Sequence, residues 1–231
     1  MRYKFSKTVV IALGGSIMYP EAIDISFLKK FRKFILKKLR NGSRFIIVAG
    51  GGRIARVYQN AAHKVVKMSD EDKDWLGIHS TRANAHLLRT IFKDVADPVI
   101  IDSRDKMKTL KYPVTIASGW RPGWSTDYIS IAIAEHFKVK EAVIAGKPAH
   151  VYDKDPHKYA GAKELHELTW KKYRKLIPAK WKPGLHSPVD PVGAELGEKK
   201  GIAAIIINGK DLKNFEQMLS GKEFKGSIIS N

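Results

Sequence analysis

Five short apolar segments, each ending at a glycine or a small polar residue, constrain the fold of this chain most strongly. Continuous apolar runs of this length are typical of strands that are buried on both faces of a sheet. The segments are residues 9–13, 45–49, 113–117, 142–145 and 202–207, followed by Gly14, Gly50, Ser118, Gly146 and Asn208. They predict the strands of a mainly parallel sheet.

Segments with helical periodicity separate these strands. Apolar residues recur every three or four positions between Asp24, a helix N-cap, and the stop signal Asn41-Gly42. Ser69 and Asp72 form a capping pair, which opens a helix that must end before Pro98. Further helices are predicted from residue 53 and at 127–137, 168–177, 189–199 and 212–219, with short strands at 99–101 and 227–229. This alternation predicts an α/β fold in which helices cover both faces of the sheet.

The segments that follow the strands predict one ligand site. The carboxyl ends of parallel strands meet at one edge of a sheet, where ligands bind in open α/β folds. At Gly50-Gly51-Gly52, backbone N–H groups at a helix start can approach an anion closely, and Arg53 and Arg56 follow. A tight turn that needs positive φ is the alternative for this triplet, but the arginines favour an anion site.

Several other chemistries are excluded. The chain has no cysteine, so it has no disulfide, thiolate zinc site or cysteine nucleophile. No Walker A pattern is present, and Gly50, Gly52 and Ala55 match the dinucleotide fingerprint without the second strand that it requires. The histidines show no H-E-x-x-H spacing, so we predict no protein-held metal.

The net charge of +19 favours anionic ligands. Residues 29–44 carry eight Lys or Arg and no acid. They could contact nucleic acid, although solvated helix surfaces are the favoured interpretation. No apolar run approaches the roughly 20 residues that a membrane helix needs. The basic residues 1–7 are not followed by the small-residue cleavage pattern of a signal peptide. We therefore expect a cytoplasmic protein without a membrane segment.

Six short motifs stand in order along the chain. They are Gly14-Gly15-Ser16, Gly50-Gly51-Gly52-x-x-Ala55-Arg56-x-Tyr58, Asp74-x-x-Gly77-Ile78-x-x-Thr81-Arg82-Ala83-Asn84-Ala85, Pro122-Gly123-x-x-Thr126-Asp127, Val151-Tyr152-x-x-Asp155-Pro156 and Val189-Asp190-Pro191. Their order resembles that of the amino acid kinase superfamily, and the third motif resembles archaeal uridylate (UMP) kinases in particular. The resemblance covers essentially the whole chain.

The resemblance implies a three-layer αβα sandwich with a mainly parallel central sheet. It also implies transfer of the γ-phosphoryl of ATP to UMP, giving UDP, with Mg²⁺. Residues 1–138 would form the acceptor lobe and residues 139–231 the ATP lobe of a single bilobed domain. Members of the family form homo-oligomers, and uridylate kinases are commonly hexamers.

Residue roles follow from the same resemblance. The residues expected to bind UMP are Gly50, Gly51, Gly52, Arg56, Asp74, Gly77 and Thr126. Gly14, Gly15 and Ser16 are expected to donate hydrogen bonds to the transferring phosphoryl group, and Tyr152 and Asp155 are expected to line the adenosine site of ATP. Asp127 matches the acid that orients the catalytic groups.

The chain departs from the family at three places. Ala12 stands where most members carry a lysine, so a cation must come from elsewhere. Lys147 and Lys182 are the candidates, with Lys147 preferred, and a solvated surface lysine is the alternative interpretation of each. Ala149-His150 replaces the usual Asp-Gly of the nucleotide loop. The acceptor loop carries Trp120 and Trp124, which either stack on a base or cover the core.

These departures leave two alternatives to a UMP kinase open. One is a kinase of the same superfamily with a different anionic acceptor. The other is a non-catalytic relative that binds a nucleotide or an oxyanion.

Overall fold

A computed structural model describes residues 1–156, 158–182 and 187–231 of the chain. Its helices are α1 (Gly15–Met18), α2 (Ile25–Arg40), α3 (Gly52–Val65), α4 (Asp70–Ile91), α5 (Thr126–His136), α6 (Trp170–Arg174), α7 (Pro191–Lys200) and α8 (Leu212–Leu219). Its strands are β1 (Thr8–Leu13), β2 (Arg44–Ala49), β3 (Val114–Ala117), β4 (Glu141–Gly146), β5 (Val151–Tyr152), β6 (Glu164–Leu165), β7 (Glu167–Thr169), β8 (Ala203–Asn208) and β9 (Ser227–Ser230).

Seven strands form the central sheet in the order β3-β2-β1-β4-β8-β9-β7. The first five are mutually parallel; in β1, for example, Val10 lies between Ile46 of β2 and Ala142 of β4. Strands β9 and β7 run in the opposite direction, because β9 pairs antiparallel with β8 and parallel with β7. The predicted mainly parallel sheet is confirmed.

Helices cover both faces of this sheet. Val9, Ile11 and Leu13 belong to one buried cluster, which α2, α4 and α8 complete. Val10 and Ala12 belong to a second cluster, which α5, α6 and α7 complete. Alternate residues of β1 thus enter opposite cores, as the period of a strand requires. The three-layer αβα sandwich is confirmed.

Local signals place the helix ends where the sequence predicts them. Asp24 caps α2 by accepting a hydrogen bond from the Phe27 amide at 2.9 Å. Gly42 follows that helix with φ of 80°, a conformation that glycine adopts without steric cost. Ser69 and Asp72 make the expected reciprocal capping box at the start of α4.

Two predictions of secondary structure are wrong, and one hairpin was not predicted. Residues 99–101 form no strand, because Val99 is exposed and only Ile101 reaches the sheet, as an isolated bridge to Ala117. The helix predicted at 168–177 is shorter and begins at Trp170, because Leu168 pairs with Ile229 in the sheet. The β5–β6 hairpin, an antiparallel pair outside the central sheet, was not predicted.

Acidic residues neutralise part of the basic segment 29–44. Lys37 and Lys38 lie 2.8 and 3.7 Å from Oε1 of Glu216, and Lys38 is buried. Arg32 binds both carboxylate oxygens of Asp94 at 2.8 Å. These contacts favour the interpretation of a solvated helix surface over that of a nucleic-acid site.

Among the described residues, no helix is both long and apolar enough to cross a membrane.

Candidate active site

The glycine turns after β1 and β2 are in direct contact at the carboxyl edge of the sheet. A Cβ added to Gly15 would lie 2.0 Å from the Gly52 nitrogen, and one added to Gly50 would lie 2.4 Å from the Gly15 nitrogen. Real Cβ atoms do not approach a backbone this closely, so both positions require glycine. Gly52 also has φ of 69°. The tight turn with positive φ is confirmed, and the triplet opens α3 at the carboxyl edge of the sheet, whereas anion binding there stays a prediction.

The loops after β4 and β8 join the same edge. The Gly14 amide donates to the Ala145 carbonyl at 2.9 Å, and the Gly209 amide donates to the Gly146 carbonyl at the same distance. Four loops therefore lie side by side along one edge, as the parallel topology predicts. Ser16 lies in α1, half-buried beside the glycines.

Helix α4 connects the glycine triplet to the loop after β3. Asn84 donates from Nδ2 to the Gly50 and Gly51 carbonyls at 2.7 and 3.1 Å. Thr81 accepts a hydrogen bond at Oγ1 from the Gly119 amide at 2.7 Å. Both side chains are buried, so these bonds hold the two loops against one helix.

Asp74 and Gly77 of α4 lie on the wall next to these loops. Asp74 accepts at Oδ2 from the Gly123 amide at 2.8 Å and from the Trp181 indole at 3.3 Å. A Cβ added to Gly77 would meet only Nε2 of Gln59, at 3.5 Å. Asp74 thus positions the loop that carries Gly123. Among the described residues, no protein atom would clash with a Cβ at position 77.

A pair of carboxylates lies where α5 and α7 begin. Ser125 caps α5 by accepting from the Asp127 and Tyr128 amides, and its hydroxyl donates to Asp190. Asp190 caps α7 by accepting at Oδ1 from the Val192 amide at 2.8 Å. Since α5 follows β3 and contacts β1 and β4, Asp127 lies at the same edge as the glycine turns.

Burial raises the pKa of the Asp127 carboxyl well above its ordinary value, and the charge of Asp190 raises it further. Asp127 is partly open to solvent but is surrounded by protein on most sides. Within the described ranges its carboxylate has no cationic partner. Burial also raises the pKa of Tyr173 strongly, and Asp127 and Asp190 add to this effect. Such a negative pair favours a bound cation.

Free cations lie near this edge. Ala12 carries no charge and is buried within the sheet, so its position supplies no cation. Lys147, which directly follows β4, and Arg56 of α3 are exposed and make no ion pair with another described residue. Lys182 is exposed, but it borders the undescribed residues 183–186. Lys210 is occupied by Asp24 at 2.8 Å.

The β5–β6 hairpin brings the predicted adenosine residues to the β8–β9 side of the edge. Tyr152 is half-buried and hydrogen-bonds to the Glu164 side chain. Asp155 lies in an exposed turn, where its carbonyl accepts from the Lys158 and Tyr159 amides. The Val151 amide donates to Ser227 at 2.8 Å and fixes the hairpin to the start of β9.

Comparison with known proteins identifies the family of this chain. The model of the amino acid kinase family matches residues 7–208. The chain belongs to the amino acid kinase family. It is 31% identical to a uridylate kinase of Thermococcus sibiricus over 96% of this chain and 98% of that protein. It is 32% identical to a uridylate kinase of Methanosarcina barkeri over 96% of this chain and 95% of that protein.

The fold agrees with this family. The crystal structure of a uridylate kinase from Archaeoglobus fulgidus superposes with a TM-score of 0.80 at 25% identity, covering all of both chains. The UMP kinase of Bacillus anthracis shares the fold with a TM-score of 0.77 at 18% identity. The resemblance drawn from the six motifs is thereby confirmed.

The two tryptophans in the loop after β3 lie in different environments. Trp120 is buried and donates to the Ile101 carbonyl at 3.2 Å, so it covers the core. Trp124 is half-buried, its ring centroid lies 4.7 Å from that of Tyr128, and the Arg121 guanidinium lies 4.0 Å from its centroid. Protein groups therefore already stack on Trp124.

Sequence reasoning assigned no role to Asn84, Ser125 or Asp190. Asp190 carries a detectable signal, because an aspartate before proline is typical of a helix N-cap followed by its first residue. Ser125 likewise precedes a helix. The contact of Asn84 with the glycine triplet depends on how α4 packs. Its one sequence signal is a polar asparagine on a helix face that is otherwise predicted to be buried.

Proposed function

We propose that the chain is a uridylate kinase that transfers the γ-phosphoryl group of ATP to UMP. The observation that carries this proposal is the contact between two glycine turns at the edge where Asp127 and Asp190 also lie. Phosphoryl transfer depends on aligning donor and acceptor while N–H groups and cations balance the charge on the phosphoryl oxygens. The names of the curated relatives support UMP as the acceptor.

Each half of the chain has a role in this proposal. Residues 1–138 would hold UMP, with the glycine triplet and Arg56 on its phosphate, Asp74 and Gly77 beside the nucleoside, and Thr126 near the transferred group. Residues 139–231 would hold ATP, with Tyr152 and Asp155 beside the adenosine. Gly14, Gly15 and Ser16 would bind the transferring phosphoryl group, and Lys147 would supply the cation that Ala12 cannot.

Mg²⁺ fits the acidic pair. Mg²⁺ in kinases is held by one or two carboxylates together with substrate phosphates. Asp127 lies beside Asp190 and has a raised pKa, so a divalent cation would relieve the repulsion between them. Bound there, Mg²⁺ would neutralise charge on the phosphates of the nucleotides.

A coupled assay of ATP turnover tests the proposal. UMP, CMP, GMP and small carboxylic acids are offered as acceptors, with and without Mg²⁺. Turnover with UMP as the best acceptor supports a uridylate kinase. Turnover only with another acceptor would assign a different kinase of the family. Binding of nucleotide without ATP consumption, seen by calorimetry, would assign a non-catalytic relative.

Arg56→Ala should raise the KM for UMP about 10-fold with little change in kcat. The exposed guanidinium is not engaged by another described residue, so its loss removes a phosphate contact and leaves the fold intact. Steady-state kinetics with UMP varied at saturating ATP measures the effect. Arg40→Ala, at the exposed end of α2 near the opposite edge of the sheet, is the matched control. An unchanged KM in Arg56→Ala would remove Arg56 from the acceptor site.

Gly77→Ala should make the protein more stable and yet a poorer enzyme. Alanine is favoured over glycine inside a helix by about 1 kcal/mol, and the new Cβ meets only a flexible glutamine. A rise of about 2–4 °C in Tm is therefore expected. If UMP lies against Gly77, the methyl group obstructs it and the KM for UMP rises. A higher Tm with an unchanged KM would place UMP elsewhere.

A cytoplasmic location, a role in pyrimidine nucleotide synthesis and a homo-oligomer, by resemblance a hexamer, complete the proposal. Light scattering coupled to size-exclusion chromatography measures the subunit count directly. A monomeric species that is fully active would remove the oligomer from the proposal.

A further inference from the structure

Three side chains of metal-ligating type come together on the β5–β6 hairpin. They are His150, Glu164 and His166, and one ligand atom from each lies within 4.8 Å of the other two. In the ranges 1–156, 158–182 and 187–231 this is the one group of three such residues so close together. None of the three has a role in the function proposed above.

The backbone holds these three residues in place. His150 directly precedes β5, Glu164 lies opposite Tyr152 in β6, and His166 joins β6 to β7. The Ile228 amide of β9 donates to the His166 carbonyl at 2.7 Å. The Tyr152 hydroxyl hydrogen-bonds to the Glu164 carboxylate. The side chains therefore project from paired strands, which keep their relative positions.

Hydrogen bonding selects the tautomer of His150. Its Nδ1 lies 2.7 Å from the Gly226 carbonyl oxygen, which only accepts, so Nδ1 carries the proton. In the neutral ring Nε2 then presents its lone pair, and it lies 3.4 Å from Oε2 of Glu164. Two acceptor atoms thus face each other. Histidine ligands of metals commonly donate their other N–H group to a backbone carbonyl in this way.

We propose that His150, Glu164 and His166 bind a divalent transition metal of the Zn²⁺ type. Two imidazole nitrogens and one carboxylate oxygen suit Zn²⁺, Co²⁺ or Ni²⁺ better than Mg²⁺, which prefers oxygen ligands alone. Three protein ligands leave a fourth position for water. This site is therefore separate in chemistry from the acidic pair at Asp127.

The geometry can close around such an ion. Ligand atoms about 2.0 Å from a tetrahedral metal lie about 3.3 Å from one another, compared with the separations of up to 4.8 Å here. His150 is buried and fixed, whereas Glu164 and His166 are exposed. Rotation of the two exposed side chains supplies the remaining movement.

The ion would hold the hairpin closed at its base. His150 and His166 are the two ends of a segment that includes Tyr152 and Asp155. Joining the ends of such a segment restricts its conformations, as metal sites that close long loops do. Histidine spacing along the chain gave no indication of the site, because a hairpin rather than one helix brings the ligands together.

Cobalt binding tests the proposal without any nucleotide. The full-length chain is stripped with a chelator and titrated with Co²⁺, whose visible absorption reports tetrahedral coordination, and Zn²⁺ is then added as a competitor. We expect one equivalent of Co²⁺ to bind and Zn²⁺ to displace it. His166→Ala should weaken binding at least 10-fold and abolish the tetrahedral spectrum, while the exposed His63→Ala should bind as the native chain does.

Two results would overturn the site. One is a native chain, folded by circular dichroism, that binds no Co²⁺. The other is that the native chain and the variants His166→Ala and Glu164→Gln all bind Co²⁺ with the same affinity and the same visible spectrum. Either result would assign His150 and Glu164 to an imidazolium–carboxylate ion pair. Because no nucleotide is used, neither result depends on whether the chain is a kinase.

Discussion

Asp127→Asn should lower kcat about 100-fold or more while the protein stays folded. The change removes the charge that would hold Mg²⁺ and orient the phosphates but keeps the size of the side chain. Losing one preorganised electrostatic group in an active site typically costs 10²–10³ in kcat. Coupled assays at saturating ATP and UMP measure the loss. Asp94→Asn, an exposed acid at the opposite edge that pairs with Arg32, should retain full activity.

The stability of Asp127→Asn distinguishes a catalytic from a structural role. The pKa of Asp127 is higher in the folded chain than in the unfolded chain. The contribution of this residue to the free energy of unfolding is therefore fully present below the unfolded pKa and is lost as the pH rises through the folded pKa. At neutral pH the charged group therefore opposes folding. Asp127→Asn should then melt at the same or a higher temperature than the native chain, with the difference vanishing in acid.

The pH profile of the native enzyme gives a second readout. If ionised Asp127 is required, kcat/KM falls in acid with an apparent pKa above the ordinary value of about 3.9 for aspartate. A large fall in Tm of Asp127→Asn at neutral pH would contradict the catalytic assignment, because it would mean that the carboxylate supports the fold.

The sheet and its ligand edge could be predicted because their signals are local. Residues 9–13 and 45–49 are apolar on both faces, and such strands fit only a sheet covered by helices. The caps of α2 and α4 depend on residues three positions apart. Once the strands are parallel, the topology alone brings the glycine turns to one edge.

The parts that sequence reasoning missed depend on distant contacts. Strand β7 has three residues and exists because Leu168 pairs with Ile229. The carboxylates of Asp127 and Asp190 become neighbours only when α5 packs on α7. Gly193 permits this packing, since a Cβ there would lie 3.2 Å from the Tyr128 backbone. No pattern within a short window contains such information.

Gly15→Ala should lower kcat/KM about 100-fold, because the added methyl group separates the two glycine turns. The added Cβ would lie 2.0 Å from the Gly52 nitrogen and 2.5 Å from its Cα, and neither backbone atom can rotate away. The turns must move apart by about 1 Å, a displacement that can cost 10²-fold in an active site. The overpacking should also destabilise the fold by about 1–3 kcal/mol.

Gly42→Ala separates the loss of activity from the loss of stability. Gly42 lies at the opposite edge of the sheet with φ of 80° and open space around it, so alanine there strains the backbone without a clash. It should lose about 1 kcal/mol of stability and no activity. Tm and kcat/KM are measured for both variants at a temperature where each is fully folded. If Gly15→Ala retained native kcat/KM under those conditions, the contact between the two turns would not align the reacting phosphates, and the kinase proposal would lose the observation that carries it.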